Sequence, residues 1–191
     1  MSINKTLIVF ARPLELGNVK KRLARTIGKE KALAIYSRLM DLTIAAGKNA
    51  DVDTIVYFSD PPKYTHNYIN NIQRDGNLGK RMLFAIANEI NNSGGFVCLI
   101  GSDCPDISSI IINDAMQALE TNDVVLGPAS DGGYYLIGLK NQYPALFENI
   151  NWGSNSVLAE TKTVIKRLGL SVHLLPELSD IDQVEDLPPG W

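Results

Sequence analysis

Apolar residues are distributed along the chain in two alternating patterns. Apolar residues at 6–11, 54–58, 97–100, 123–127, 134–139 and 170–175 each predict a strand, and the continuous runs at 6–11 and 97–100 predict strands in the interior of the sheet. Apolar residues at helical spacing predict amphipathic helices over residues 29–50, 82–90, 110–119 and 155–168, with a short helix after Pro61 and Pro62. The alternation predicts an α/β fold in which helices cover both faces of a mostly parallel sheet.

The composition limits the possible classes of protein. The chain has 191 residues, 45% of them hydrophobic and 20% charged, as expected of one globular domain over residues 1–191. A net charge of −3 without a basic stripe argues against a nucleic-acid partner. No apolar run approaches the ~20 residues of a membrane helix and no leader opens the chain, so the cytoplasm is the expected location. Cys98 and Cys104 are expected to be buried free thiols, and His66, which has no evident partner in the sequence, is assigned no role.

The most informative stretch is residues 97–106, in which an apolar strand ends at Gly101 and Asp103 follows closely. In open α/β sheets, ligands bind on loops outside the carboxyl ends of the strands. An aspartate at that position suits a divalent cation that also contacts phosphate oxygens. An ordinary loop or capping role for Asp103 is the alternative, and either Asp106 or Ser108 can cap the helix that follows.

The loop after the first strand is the second candidate. Its cations are Arg12, Lys20, Lys21 and Arg22, and it contains Gly17. Cations and backbone N–H groups at the start of a helix suit a phosphate chain. The Walker motif and the dinucleotide-binding glycine motif are both absent. A solvated basic helix end is the alternative on charge alone.

Three further segments carry weaker signals. Residues 72–82 form a turn-rich loop whose glycines permit a ligand to approach the backbone, although any tight turn also needs them. Asp131, Gly132 and Gly133 precede an aromatic run, either as an ordinary hairpin or as the edge of a cleft framed by an antiparallel strand. The acidic residues 179–187 contain apolar residues at helical spacing, which predicts a packed segment rather than a solvated tail.

Five motifs occur in an order typical of one family. They are FAR at 10–12, GxVKxRL at 17–23, LGxRM at 78–82, IGSDCP at 100–105 and GPxxDGGYYLIG at 127–138. With them the chain resembles the bacterial nucleotide-diphospho-sugar transferases, glycosyltransferase-A-like proteins often labelled arsenosugar- or selenium-associated transferases, over residues 6–187. It is more distantly similar to molybdenum cofactor guanylyltransferase. The resemblance implies a three-layer α/β/α, Rossmann-like fold with a mostly parallel mixed sheet.

The resemblance also implies roles for individual residues. The nucleotide phosphates would be held by Arg12, Gly17, Lys20 and Arg22. The base and ribose pocket would be lined by Gln73, Leu78, Gly79 and Arg81. A divalent metal, Mg²⁺ or Mn²⁺, would be bound by Asp103 and Asp182. The sugar or its acceptor would face Gly132, Gly133, Tyr134 and Trp152. The expected catalytic residues are Asp103, Lys20 and Asp131, the last as a general base or only as a residue that binds substrate or shapes the turn.

The expected function is metal-dependent glycosyl transfer from a nucleotide-diphospho-sugar to a small-molecule acceptor. Nucleotidyl transfer with release of pyrophosphate is the first alternative, because the same loop, metal and fold serve both reactions. A non-catalytic nucleotide-sugar-binding protein is the second. The sequence carries no signal for the base, the sugar, the acceptor or the oligomeric state.

Overall fold

A seven-stranded sheet organises the structure. The computed structural model describes residues 3–64 and 67–191, so His66 lies outside the described residues. The strands are β1 (Lys5–Ala11), β2 (Asp53–Phe58), β3 (Asn70–Ile72), β4 (Phe96–Ile100), β5 (Val124–Pro128), β6 (Tyr134–Leu139) and β7 (Val172–Leu174). The helices are α1 (Lys21–Ile27), α2 (Lys29–Lys48), α3 (Leu78–Ser93), α4 (Ser109–Ala118) and α5 (Val157–Arg167).

The strand order is β3-β2-β1-β4-β6-β5-β7, and β6 alone among these strands runs antiparallel to its neighbours. The chain leaves β1 towards β2 on one side, whereas β4 pairs with the other side of β1. This reversal of strand order creates a crevice at the carboxyl ends of β1 and β4. Because Leu136 pairs with Ile100, β6 begins at the same edge of the sheet.

Helices cover both faces of the sheet. Leu7 and Val9 of β1 belong to the core beneath α2 and α4, whereas Ile8 belongs to the core beneath α3 and α5. This alternation follows from the two-residue period of a strand. Because both faces of the sheet are buried, its interior strands have apolar residues at successive positions in the sequence. The predicted α/β fold with a mostly parallel mixed sheet is confirmed.

Side-chain caps fix where two of the helices begin. The Asn77 side chain accepts a hydrogen bond from the Lys80 N–H, with an N···O distance of 3.0 Å, and α3 therefore begins at Leu78, earlier than predicted. Of the two predicted caps for α4, the structure uses Ser108, whose hydroxyl accepts from the Ile111 N–H.

The sequence-based prediction fails for two of the remaining segments and holds for a third. The prediction of a short helix after Pro61 and Pro62 is wrong for residues 61–64 and 67–68, which have no helical structure. Strand β3 was missed, because its side chains are all exposed and show no apolar pattern. The C-terminal segment is packed as predicted: Ile181 is 1% exposed and joins a cluster with Leu23 and Leu39.

The structure also bears on the two cysteines and on membrane-spanning helices. Cys98 and Cys104 are buried free thiols, and burial raises the pKa of each to about 12. None of the helices in the described part of the chain is long and apolar enough to cross a membrane. That residues 1–191 form one domain stays a prediction.

Candidate functional site

A cleft of about 480 Å³ opens at the edge of the sheet where β1 and β4 end and β6 begins. The predicted site residues that line it are Arg12, Lys20, Arg22, Gln73, Leu78, Arg81, Asp103, Tyr134 and Asp182. They come from widely separated parts of the sequence. The fold therefore gathers them because parallel strands deliver their loops to one edge.

Lys20 lines this cleft and is firmly held. Its Nζ is 2.5 Å from Asp103 Oδ1 and also donates a hydrogen bond to the carbonyl of Ile181. The Lys20 side chain is 6% exposed. Its backbone has φ +44° and ψ +51°, a left-handed conformation that a residue other than glycine rarely adopts. The fold therefore accepts local backbone strain at the residue that presents a buried ammonium to the cleft.

The C-terminal segment closes one side of the cleft. The Ile181 N–H donates to the Asp103 carbonyl, with an N···O distance of 2.9 Å, which joins this segment to the loop after β4. The next residue, Asp182, accepts from Arg22 of α1, with 2.6 Å between Oδ2 and Nη1. The Arg22 side chain is 71% exposed and that of Asp182 38% exposed, so this second pair is open to solvent.

The two predicted metal ligands suit a metal ion whose remaining ligands come from the substrate and from water. Asp103 and Asp182 both line the cleft and supply carboxylate oxygens, the donors that Mg²⁺ and Mn²⁺ prefer. One oxygen of each carboxylate is paired with a basic side chain, Asp103 with Lys20 and Asp182 with Arg22. Among residues 3–64 and 67–191, no three acidic, histidine or cysteine side chains form a ready-made metal site. This donor set fits a Mg²⁺-like ion held by one or two carboxylates together with substrate phosphates and water.

Gln73 and Arg81 form a hydrogen-bonded pair that also lines the cleft. The Gln73 amide donates to the Tyr57 carbonyl at 2.8 Å, and its oxygen accepts from Arg81 Nη1 at 2.9 Å. The amide of Gln73 is therefore engaged by the protein on both its donor and acceptor sides. The Nε–H of Arg81 is buried and has no hydrogen-bond partner among the described residues. Arg81, held in place by Gln73, lines the cleft.

The other predicted site residues do not line the cleft. They are Gly17, Gly79, Asp131, Gly132, Gly133 and Trp152. A Cβ on Gly79 would clash with the Phe147 carbonyl oxygen and lie 2.5 Å from Trp152 Nε1, so close helix packing is what demands a glycine there. Trp152 packs edge-on against Tyr134, with ring centroids 6.3 Å apart, and so supports a cleft residue from behind.

Asp131 shapes the turn before β6. Its Oδ1 accepts a hydrogen bond from the Gly133 N–H at 2.8 Å, and its side chain is exposed. Gly132 has φ +88° and a Cβ there would clash with the Asn155 carbonyl oxygen, so the turn needs glycine at this position. The turn-shaping role left open for Asp131 is therefore present in the structure.

Among the residues that were not predicted for the site, Tyr36 lines the cleft and Asp180 interacts electrostatically with predicted site residues. Tyr36 has the apolar spacing of a core residue, but its hydroxyl reaches Arg12 and Ser102. Asp180 lies close enough to Asp131 and Asp103 for their charges to act on it: partial burial, then these two carboxylates, raise its pKa above the ordinary value. The acidic C-terminal motif drew attention to this segment but did not distinguish Asp180 from Asp182.

Solved structures share this fold. A protein from Desulfovibrio desulfuricans G20, named as a candidate nucleotide-diphospho-sugar transferase, superimposes with a TM-score of 0.91 and 28% identity over 97% of this chain and 85% of that chain. The inositol-1-phosphate CTP transferase from T. maritima has a TM-score of 0.59 and 12% identity over 98% and 93% of the two chains. Rv0371c from Mycobacterium tuberculosis H37Rv, in complex with manganese, has a TM-score of 0.58 and 12% identity over 97% and 96%. At 12% identity the last two share only the fold.

The sequence comparisons identify the family. No curated protein matches the chain. Residues 34–154 match the DUF2064 family, described as an uncharacterized protein conserved in bacteria. The expected resemblance is confirmed by this match together with the similarity to the Desulfovibrio protein. Because the match spans more than half of the 191 residues, the chain belongs to the DUF2064 family.

Proposed function

We propose that this chain is a metal-dependent transferase that moves a glycosyl group from a nucleotide-diphospho-sugar to a small-molecule acceptor. The observation that carries the proposal is the meeting of cations and carboxylates in one cleft, Lys20 with Asp103 and Arg22 with Asp182. Both kinds of charge at the carboxyl edge of a parallel sheet suit a diphosphate bound together with a divalent cation. The similarity to the Desulfovibrio protein supports a transferase of this class.

The cations of the cleft would act on the leaving group. Negative charge builds up on the diphosphate as its bond to the sugar breaks, and cations already fixed at that position lower the barrier. Lys20 has a buried ammonium whose interactions are less screened by water than those of an exposed side chain. Exposed Arg22 can reach a more outward phosphate. A bound Mg²⁺ or Mn²⁺ would supply further positive charge to the same leaving group.

The Gln73–Arg81 pair and the residues around the start of β6 would hold the rest of the substrates. Arg81, held by Gln73, would donate hydrogen bonds to the nucleoside or its phosphates. Tyr134, backed by Trp152, would contact the sugar or the acceptor. Asp131, outside the cleft lining but three residues before the cleft residue Tyr134, is the proposed general base: one of its oxygens is used by the Gly133 N–H, and the exposed carboxylate has a second oxygen for an acceptor hydroxyl.

Nucleotidyl transfer is the second candidate. In that reaction the acceptor attacks a nucleoside triphosphate, the bond between its α- and β-phosphates breaks, and pyrophosphate leaves. The T. maritima CTP transferase has this fold over 98% of this chain, so the fold is compatible with such a reaction. The same lysine, arginine and carboxylates would serve either reaction, because both release a diphosphate-type leaving group.

A thermal-shift panel tests the proposal without a known acceptor. The protein is heated with nucleoside diphosphates, triphosphates and nucleotide-sugars, each with and without Mn²⁺. A ligand at a hundred times its Kd stabilises the fold by about 2.7 kcal/mol, which raises the Tm of a chain of this size by roughly 5–10 °C. A metal-dependent rise with a nucleoside diphosphate and one nucleotide-sugar supports glycosyl transfer. A rise with a triphosphate alone supports nucleotidyl transfer, and no rise with any nucleotide contradicts both.

A further inference from the structure

The hydroxyl of Tyr36 joins two loops of the cleft. Tyr36 lies on α2 and its side chain is buried, 3% exposed. Its oxygen accepts a hydrogen bond from the Arg12 N–H at 2.8 Å and donates to the Arg12 carbonyl at 3.2 Å. It also lies 3.1 Å from the hydroxyl oxygen of Ser102. Arg12 begins the β1 loop (residues 12–20), and Ser102 lies in the β4 loop (residues 101–108).

These contacts use the full hydrogen-bonding capacity of the hydroxyl. A tyrosine hydroxyl donates once and accepts twice, so the Arg12 N–H and the Ser102 hydroxyl can donate to it while it donates to the Arg12 carbonyl. Ser102 is itself buried, 3% exposed, and directly precedes Asp103. One phenol group therefore fixes the main chain of the β1 loop relative to the residue that precedes the proposed metal ligand.

We propose that Tyr36 is a positioning residue that makes the binding of nucleotide and divalent metal cooperative. The inference rests on the proposed function, which gives the phosphates to the β1 loop and the metal to Asp103 of the β4 loop. A metal-bound diphosphate contacts both loops at once, and it binds best when their separation is already correct. Fixing this separation strengthens joint binding more than the binding of either ligand alone.

Two features of Tyr36 suit this role. Burial raises its pKa to about 12, so the hydroxyl keeps the proton that it donates to Arg12 at physiological pH. Its ring packs in the core with Met40 and Val9, which ties the position of the hydroxyl to the sheet rather than to either loop. Tyr36→Phe removes the three hydroxyl contacts and retains this packing.

The experiment measures the Kd of a nucleoside diphosphate by calorimetry, with and without saturating Mn²⁺. The Kd without Mn²⁺ divided by the Kd with Mn²⁺ is the coupling ratio between nucleotide and metal, and a larger ratio means stronger cooperativity. Tyr36→Phe is expected to make this ratio about threefold to tenfold smaller, the effect of one net hydrogen bond. Ser102→Ala, a smaller change, removes the partner on the other loop and should decrease the ratio in the same direction. It also tests the inference if the tyrosine variant fails to fold.

Two further variants identify the cause of the change. The double variant of Tyr36→Phe and Ser102→Ala should lose little more than either single variant, because both break the same contact. Tyr143→Phe is the matched control, since its hydroxyl contacts Asp123 at the opposite edge of the sheet and its ratio should equal that of the wild type.

The coupling ratio separates a positioning role from a merely structural one. A smaller ratio in the tyrosine or serine variant, with the control unchanged, supports the positioning role. Equal weakening of binding with and without Mn²⁺ leaves the ratio unchanged and overturns it, because a merely structural residue would act in that way. If the wild-type protein binds no nucleotide, the proposed function fails and the inference fails with it. If the wild type shows coupling that neither variant changes, only the inference fails.

Discussion

Lys20 Nζ lies 2.5 Å from Asp103 Oδ1, so the cation assigned to phosphate binding and the carboxylate assigned to metal binding contact each other. Under the proposed function, a phosphate that binds Lys20 would compete with Asp103 for the ammonium, and a metal ion that binds Asp103 would compete with Lys20 for the carboxylate. Because both ligands would then open the same ion pair, the binding of each would favour the binding of the other. Cooperative binding of nucleotide and metal is therefore the signature to look for in solution.

Replacing Asp103 with asparagine should remove metal dependence and leave the fold intact. The amide is a poor ligand for Mg²⁺ or Mn²⁺ but can still accept a hydrogen bond from Lys20. We expect a loss of stability of about 1–2 kcal/mol, the cost of weakening one charge-assisted hydrogen bond. The Kd of a nucleoside diphosphate, measured by calorimetry, should no longer respond to Mn²⁺. Asp106→Asn, an exposed aspartate of the same loop, is the matched control. Unchanged turnover and unchanged metal response would remove Asp103 from the site.

Arg22→Gln should weaken nucleotide binding with almost no effect on stability. Its pair with Asp182 is solvent-exposed, and such pairs contribute about 0–1 kcal/mol to folding. A charge-assisted hydrogen bond to phosphate is worth about 1.5–3 kcal/mol, so we expect the Kd to rise roughly tenfold or more. Arg25→Gln, on the same helix but outside the cleft lining, should leave the Kd unchanged. Equal behaviour of the two variants would exclude a specific role for Arg22.

Asp180→Asn should raise the Tm at neutral pH. Partial burial and the nearby Asp131 and Asp103 carboxylates raise the pKa of Asp180 in the folded protein. The folded state then binds a proton more tightly than the unfolded state. Wild-type stability therefore falls as pH rises from the ordinary aspartate pKa through the raised value, and is level above it.

The neutral amide avoids this loss, so the advantage of the Asp180→Asn variant should be full at neutral pH and vanish in acid. Thermal melts of both proteins across this pH range provide the measurement. Asp114→Asn, an exposed aspartate of α4, controls for the change in net charge. A variant that is less stable than the wild type at neutral pH would show that the Asp180 carboxylate makes stabilising contacts.

Gly79→Ala should destabilise the protein through overpacking. The new methyl group would meet the Phe147 carbonyl and the Trp152 indole at distances shorter than any normal contact. Forced shifts of this kind cost about 1–3 kcal/mol, measurable by chemical denaturation. A Cβ on Gly101 would have no atom within 4 Å, so Gly101→Ala should change stability little. A stable Gly79→Ala protein with lost nucleotide binding would instead assign this glycine to the ligand.

Most of the fold was predictable from the sequence because the sheet is buried on both faces. Strands such as β1 and β4 have apolar side chains on both sides, so each produces an unmistakable apolar run. β3 has no buried residue and therefore left no pattern. The position of the cleft was also predictable, since Asp103 and the cations near Lys20 both follow parallel strands whose carboxyl ends meet.

The hydrogen-bond network of the site could not be predicted from the sequence. Tyr36 has the spacing of a core residue, and nothing in that spacing says that its hydroxyl reaches two loops. Gln73 was predicted to line the base and ribose pocket, but the sequence did not reveal that its amide also bonds Tyr57 and Arg81. Such roles depend on which atoms meet across distant parts of the chain, and residue type and spacing do not encode these contacts.

A crystal structure of the protein with a nucleoside diphosphate and Mn²⁺ would test the proposed function most directly. We predict that the diphosphate lies in the cleft against Lys20 and Arg22, that the Lys20–Asp103 pair is opened, and that Asp103 contacts the metal. A nucleotide bound elsewhere, or a diphosphate in the cleft with Lys20 and Asp103 still paired and the metal distant from both aspartates, would contradict it.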